Sequence, residues 1–211
     1  MNPNYHQTRI PYDIKRTVLW ETLVNSYFQK LVHPNDTVIE IGAGYCDFIN
    51  NIKASRKIAI DIWSELPDYA NKDVECIVGD VEEVARLEDE SLDFVFASNI
   101  FEHIEAKKLT TFIEVLRKKL KVGGSICILQ PNYKLAFKEY FDDYTHVSIW
   151  TDQSLADFLA SHKFNVKYVK AGFLPLSIKS KLPVIPLMIK IYLALPFKPL
   201  AKQMLIIASR K

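Results

Sequence analysis

The sequence predicts an α/β fold, a doubly wound sheet with helices on both faces. Two observations carry this. Short β-branched, almost wholly apolar runs alternate along the chain with amphipathic runs of helical period. Those strand-like runs lack the apolar–polar alternation of a half-exposed sheet, which is the pattern of strands covered on both sides.

The elements follow in order. Residues 1–34 form an N-terminal helical arm, in which TVLWETLVNSYFQKL puts Trp20, Leu23, Val24, Tyr27 and Leu31 on one side. The first strand is TVIEI (37–41). Gly42 and Gly44 then make a tight turn, and Phe48, Ile49 and Ile52 recur at helical spacing. KIAIDI (57–62), VECIVGD (74–80) and LDFVFASN (92–99) are the next strands. A helix follows with Leu109, Phe112, Ile113, Leu116 and Leu120 on one face, stopped by Gly123 and Gly124 before the strand SICILQP (125–131). TDQSLADFLASH is a further helix, capped by Thr151 or Asp152, with Leu155, Phe158 and Leu159 inward. FNVKYVKAG (164–172) and QMLIIASRK (203–211) complete seven strands. Between them lies an apolar, proline-rich segment, 173–202. With no repeat or linker, 1–211 reads as a single domain whose core is 35–172.

Composition narrows the function. The 211 residues are 49% hydrophobic and 25% charged, a globular balance, and a net charge of +2 gives no ground for a nucleic-acid partner. Cys46, Cys76 and Cys127 are far apart, form no C-x-x-C pair and have no histidine at ligand spacing. They read as reduced thiols, so a cytoplasmic protein without a bound metal is expected. The first thirteen residues, MNPNYHQTRIPYD, lack the apolar run of a signal peptide.

The turn after the first strand identifies a ligand class. A dinucleotide fingerprint, G-x-G-x-x-G, would need glycine at Asp47, and a carboxylate there opposes a pyrophosphate. Glu40-Ile41-Gly42-Ala43-Gly44-Tyr45-Cys46 instead resembles the first motif, E/D-x-G-x-G-x-G, of the class I S-adenosylmethionine-dependent methyltransferases (small, type 11-like), with Cys46 in place of the last glycine. Asp61 ends the second strand, nineteen positions after Gly42, where a carboxylate can accept both ribose hydroxyls. Gly79-Asp80-Val81, LDFVFASNIFEHI and LKVGGSICI resemble the family's later motifs in order, over about residues 35–131. The resemblance implies a seven-stranded Rossmann-like sheet with an antiparallel last strand, S-adenosyl-L-methionine as cofactor, and Glu40, Gly42, Ala43, Gly44, Asp61, Ile62, Asp80, Val81 and Asn99 around it. Cys46 itself reads as a small packing residue, with no base beside it.

Methyl transfer from a sulfonium needs alignment and exclusion of water, and a base where the acceptor is a hydroxyl. In YFDDYTHVSIWT, His146 with Asp143 and Tyr144 is a candidate base or a cap of the following helix; His103 is the second candidate, or a packing residue. The resemblance further implies that the arm folds over the cofactor cleft, with Tyr5, Tyr12 and Arg16 as lid residues. Segment 173–202 is expected to be a buried cap over the acceptor pocket; the other reading is a peripheral contact with the inner face of a membrane through its lysines. The expected activity is transfer of a methyl group to oxygen of a small or lipid/glycan-linked acceptor. The alternatives are a methyltransferase-like scaffold without catalysis and, on a similar fold, an NAD-dependent oxidoreductase.

Overall fold

The computed structural model describes residues 12–176 and 184–211. Its seven strands are β1 (Thr37–Ile41), β2 (Arg56–Asp61), β3 (Val74–Val78), β4 (Leu92–Ser98), β5 (Leu120–Pro131), β6 (Phe164–Pro175) and β7 (Ala201–Arg210). The α-helices are α1 (Ile14–Ser26), α2 (Leu66–Tyr69), α3 (Ala106–Lys119), α4 (Tyr133–Ala136), α5 (Asp152–Ser161) and α6 (Pro186–Ala194). The strands form one sheet in the order β3-β2-β1-β4-β5-β7-β6. β1 to β5 are parallel, and β7 runs antiparallel to both β5 and β6.

Two cores explain why the strands are apolar on both faces. Ile39, Ile41, Val95, Ala97, Ile126, Ile128, Met204 and Ile206 pack under α3 and α5. Their sequence neighbours Val38, Phe94, Phe96, Cys127, Leu129 and Leu205 pack on the other side, with Trp20, Leu23 and Val24 of α1 and with Phe28. Successive strand residues point to opposite faces, so each feeds a different layer. Burial of a Leu, Ile or Phe side chain contributes ~1.5–3 kcal/mol, so either layer outweighs any single polar contact. A reciprocal box between Thr151 and Ser154 caps α5, as the sequence suggested.

Three expectations change. Phe48, Ile49 and Ile52 are buried, but residues 44–51 are consecutive turns rather than a regular helix. The Gly123-Gly124 pair does not separate helix from strand. It lies inside β5, where Leu92 pairs with Leu120 and Phe94 with Ser125, so β5 advances five residues while β4 advances two. Gly123, at φ +81°, allows that bulge. The third change is segment 173–202. Pro183, Lys179 and Lys181 fall outside the described residues; Phe173 and Leu174 are buried, but no residue of α6 is, so α6 is not the buried element expected of a cap. Ile189, Tyr192 and Leu193 lean on the core at α1, while Leu187 (66% exposed), Ile191, Leu195 and Phe197 (78%) face outward.

Candidate active site

Strand order reverses at β1, flanked by β2 and β4, so the carboxyl ends of these strands border the cleft where ligands of such sheets bind. The turn after β1 is held there by the backbone. Gly42 and Ala43 N–H groups donate to the Ile60 carbonyl at 2.8 and 3.1 Å. Gly42 and Gly44 lie at φ +70° and +49°. A Cβ on Gly42 would come within 3.0–3.2 Å of the Ile100 side chain. Cys46 is also left-handed, at φ +57°. The turn therefore does ask for glycine at this point. Cysteine is retained at a cost of ~1–2 kcal/mol, its thiol buried and pushed up out of the nucleophilic range by that burial and by Glu40.

The acids divide their labour. Glu40 is buried and accepts from the Ile49 N–H at 2.9 Å, so it ties the crossover to β1; burial holds its carboxyl well above the usual range. Asp47, the residue incompatible with a dinucleotide, forms a 2.6 Å ion pair with Arg16. Burial raises its carboxyl while Arg16 opposes the shift. Asp61 accepts from Gly44 N–H through Oδ2 at 2.8 Å and from Trp63 N–H through Oδ1 at 2.9 Å. Each carboxylate oxygen keeps another lone pair for a ribose hydroxyl. Asp80 caps the turn after β3, accepting from Val81 N–H, and its other oxygen pairs with Lys108 at 2.6 Å. Val81 is buried, whereas Ile62 is exposed. Asn99, left-handed at φ +52° beyond β4, accepts from Gln203 Nε2 at 3.4 Å. These residues fit S-adenosylmethionine: a turn open to close approach, then an acid fixed at the β2 end. Asp61→Ala is expected to weaken its binding at least about tenfold, since a charge-assisted bond is worth ~1.5–3 kcal/mol. Isothermal titration of the folded variant checks this, and unchanged affinity would refute the ribose assignment.

The arm reaches this turn. Tyr12 packs edge-on against Tyr45, centroids 5.6 Å apart, and lies 6.3 Å from Tyr69. The Arg16 guanidinium is 5.6 Å from the Tyr45 ring centre. Tyr5 lies outside the described residues.

The second half of the site comes from two loops locked together. Val147 and Ser148 N–H groups donate to the Glu102 carbonyl at 2.9 and 3.1 Å, and Ser148 Oγ donates to the Ile104 carbonyl at 2.6 Å. This brings His146 to His103, centroids 4.7 Å apart, with Tyr140 also 4.7 Å from His146. Burial, with His146 beside it, lowers His103 to about 4, keeping the ring neutral. Asp143 accepts from the Thr145 N–H and hydroxyl. Tyr144, by contrast, is exposed. Sequence reasoning missed Glu102 as a site residue. Its side chain is wholly buried beside the two histidines, and burial raises its carboxyl to about 8. An acid between Phe101 and His103, in an otherwise apolar run, was the available signal.

Residues 39–128 match a family model described as a methyltransferase domain. No curated protein matches the sequence. Among solved structures, a SAM-dependent methyltransferase from Archaeoglobus fulgidus superposes with a TM-score of 0.69 at 21% identity, over 98% of this chain and 97% of that one. A SAM-dependent methyltransferase from Thermotoga maritima gives 0.65 at 17% identity, over 94% and 92%. Geranyl diphosphate C-methyltransferase from Streptomyces coelicolor gives 0.63 at 14%, over 91% and 76%. At these identities the structures establish the shared fold, while the matched domain spans the cofactor turn through β5. Residues 39–128 thus match a methyltransferase domain, and the chain built around them shares the fold of S-adenosylmethionine-dependent methyltransferases.

Proposed function

We propose that the enzyme methylates a hydroxyl oxygen of a small or lipid/glycan-linked acceptor. The observation that carries this is the His103–His146 ring pair beside the β4 end, next to the cofactor cleft. Bound S-adenosylmethionine supplies an electrophilic methyl group. The Gly42–Gly44 turn and Asp61 hold it, Arg16 and Tyr12 secure the arm against that turn, and the histidine pair serves the acceptor hydroxyl, which has to lose a proton. A nitrogen or carbon nucleophile would have less need of such a pair.

The outward face of α6 supports a lipid-linked acceptor. Leu187, Ile191, Leu195 and Phe197 form an apolar surface with Lys190 exposed beside it, a composition suited to an anionic membrane interface. Among the described residues no helix is long and apolar enough to cross a bilayer. The test supplies methyl-labelled cofactor with hydroxyl-bearing acceptors, free or displayed on anionic vesicles. A base-stable methyl ether, formed faster on vesicles and less so at high salt, is the expected product. A methylated amine or carbon would overturn the reading.

A further inference from the structure

The loop after β4 and the loop after α4 bring three ligand-type side chains together. One carboxylate oxygen of Glu102 and one ring nitrogen each of His103 and His146 lie within 4.8 Å of one another. Glu102 has 0% exposure, and among the described residues neither of its carboxylate oxygens has a hydrogen-bond partner. Burying a carboxyl without donors is costly, and native proteins rarely leave one so. A cation bound here would give Glu102 the partner that its oxygens lack among the described residues.

The surroundings of His103 fit a ligand's second contact. Its Nδ1 is 3.3 Å from the Thr145 carbonyl and 2.9 Å from Thr145 Oγ1. The carbonyl can only accept, and the Thr145 hydroxyl already donates to Asp143 at 2.6 Å. The proton of His103 is therefore assigned to Nδ1 and the lone pair to Nε2. An imidazole that donates its other N–H to a backbone carbonyl, with a carboxylate behind it, is oriented as metal-ligating histidines are.

We propose that Glu102, His103 and His146 hold a divalent first-row transition cation, with its remaining positions open to water or to the acceptor. Two imidazoles and one carboxylate favour manganese, iron, cobalt, nickel or zinc over magnesium or calcium. The role of the cation rests on the O-methylation reading; its binding does not. Drawn to the cation, an acceptor hydroxyl gives up its proton to solvent more readily. Its oxygen then forms the bond to the methyl carbon as the carbon–sulfur bond breaks, and that electron pair stays on sulfur in S-adenosylhomocysteine. The ion would also give the buried Glu102 oxygens a partner.

The test titrates chelator-treated, dialysed protein with Co2+, followed by visible absorption and calorimetry, with S-adenosylhomocysteine binding measured on the same sample. One cobalt per chain is expected, with affinity reduced about tenfold or more in Glu102→Gln. His146→Asn, at a half-exposed position, gives the same readout should the first variant fail to fold. Cobalt binding without S-adenosylhomocysteine binding supports the cation site and sinks the methyltransferase reading of the cleft. No cobalt binding by a sample that binds S-adenosylhomocysteine overturns the proposal. Unchanged cobalt affinity in folded variants does the same.

Discussion

Gly44→Val is expected to abolish S-adenosylmethionine binding while circular dichroism remains near native. Gly44 sits at φ +49°, where a β-branched side chain is strained, and its N–H fixes Asp61 through a 2.8 Å bond. Valine would push the turn away from that geometry and place a branched Cβ where the ligand must approach. The damage stays local, because the neighbouring strand pairs Ile39–Ile58 and Ile41–Ile60 do not depend on Gly44. Calorimetric titration of the purified variant is the measurement. Wild-type affinity in a folded sample would mean that this turn does not cradle the cofactor.

His146→Ala is the second large effect. Loss of the group that prepares the acceptor is expected to lower turnover by ~10²–10⁴, with cofactor affinity unchanged. The ring packs against His103 and Tyr140. Single-turnover kinetics with saturating cofactor separate this from weakened binding. Full activity in the variant would point to an acceptor that needs no deprotonation.

The sheet was legible because its strands carry apolar residues on both faces, and because turn and acid motifs fell at strand ends in order. Glu40 was legible as part of a motif but not in its role. Its bond to Ile49 depends on how residues 44–51 coil, which periodicity misread as a helix. Asp80 was expected beside the cofactor, and the structure also engages it with Val81 N–H and Lys108. Glu102 was hidden for a different reason. Its burial is created by Val147 and Ser148, more than forty residues away, which clamp the loop that carries it. The outward face of α6 was unreadable because leucine and isoleucine look alike in sequence whether they end in a core or on a surface.

The sheet order also bears on synthesis. β6 sits at the sheet edge, and its one strand partner among the described residues is β7, which is made later yet lies between β6 and β5. As the chain emerges from the ribosome, residues 164–175 have no strand partner until 201–210 follow. The parallel half, with the cofactor turn, has all its pairing partners by residue 131. In a nascent chain, the pocket's floor can therefore form before the last two strands close as one late, non-local step.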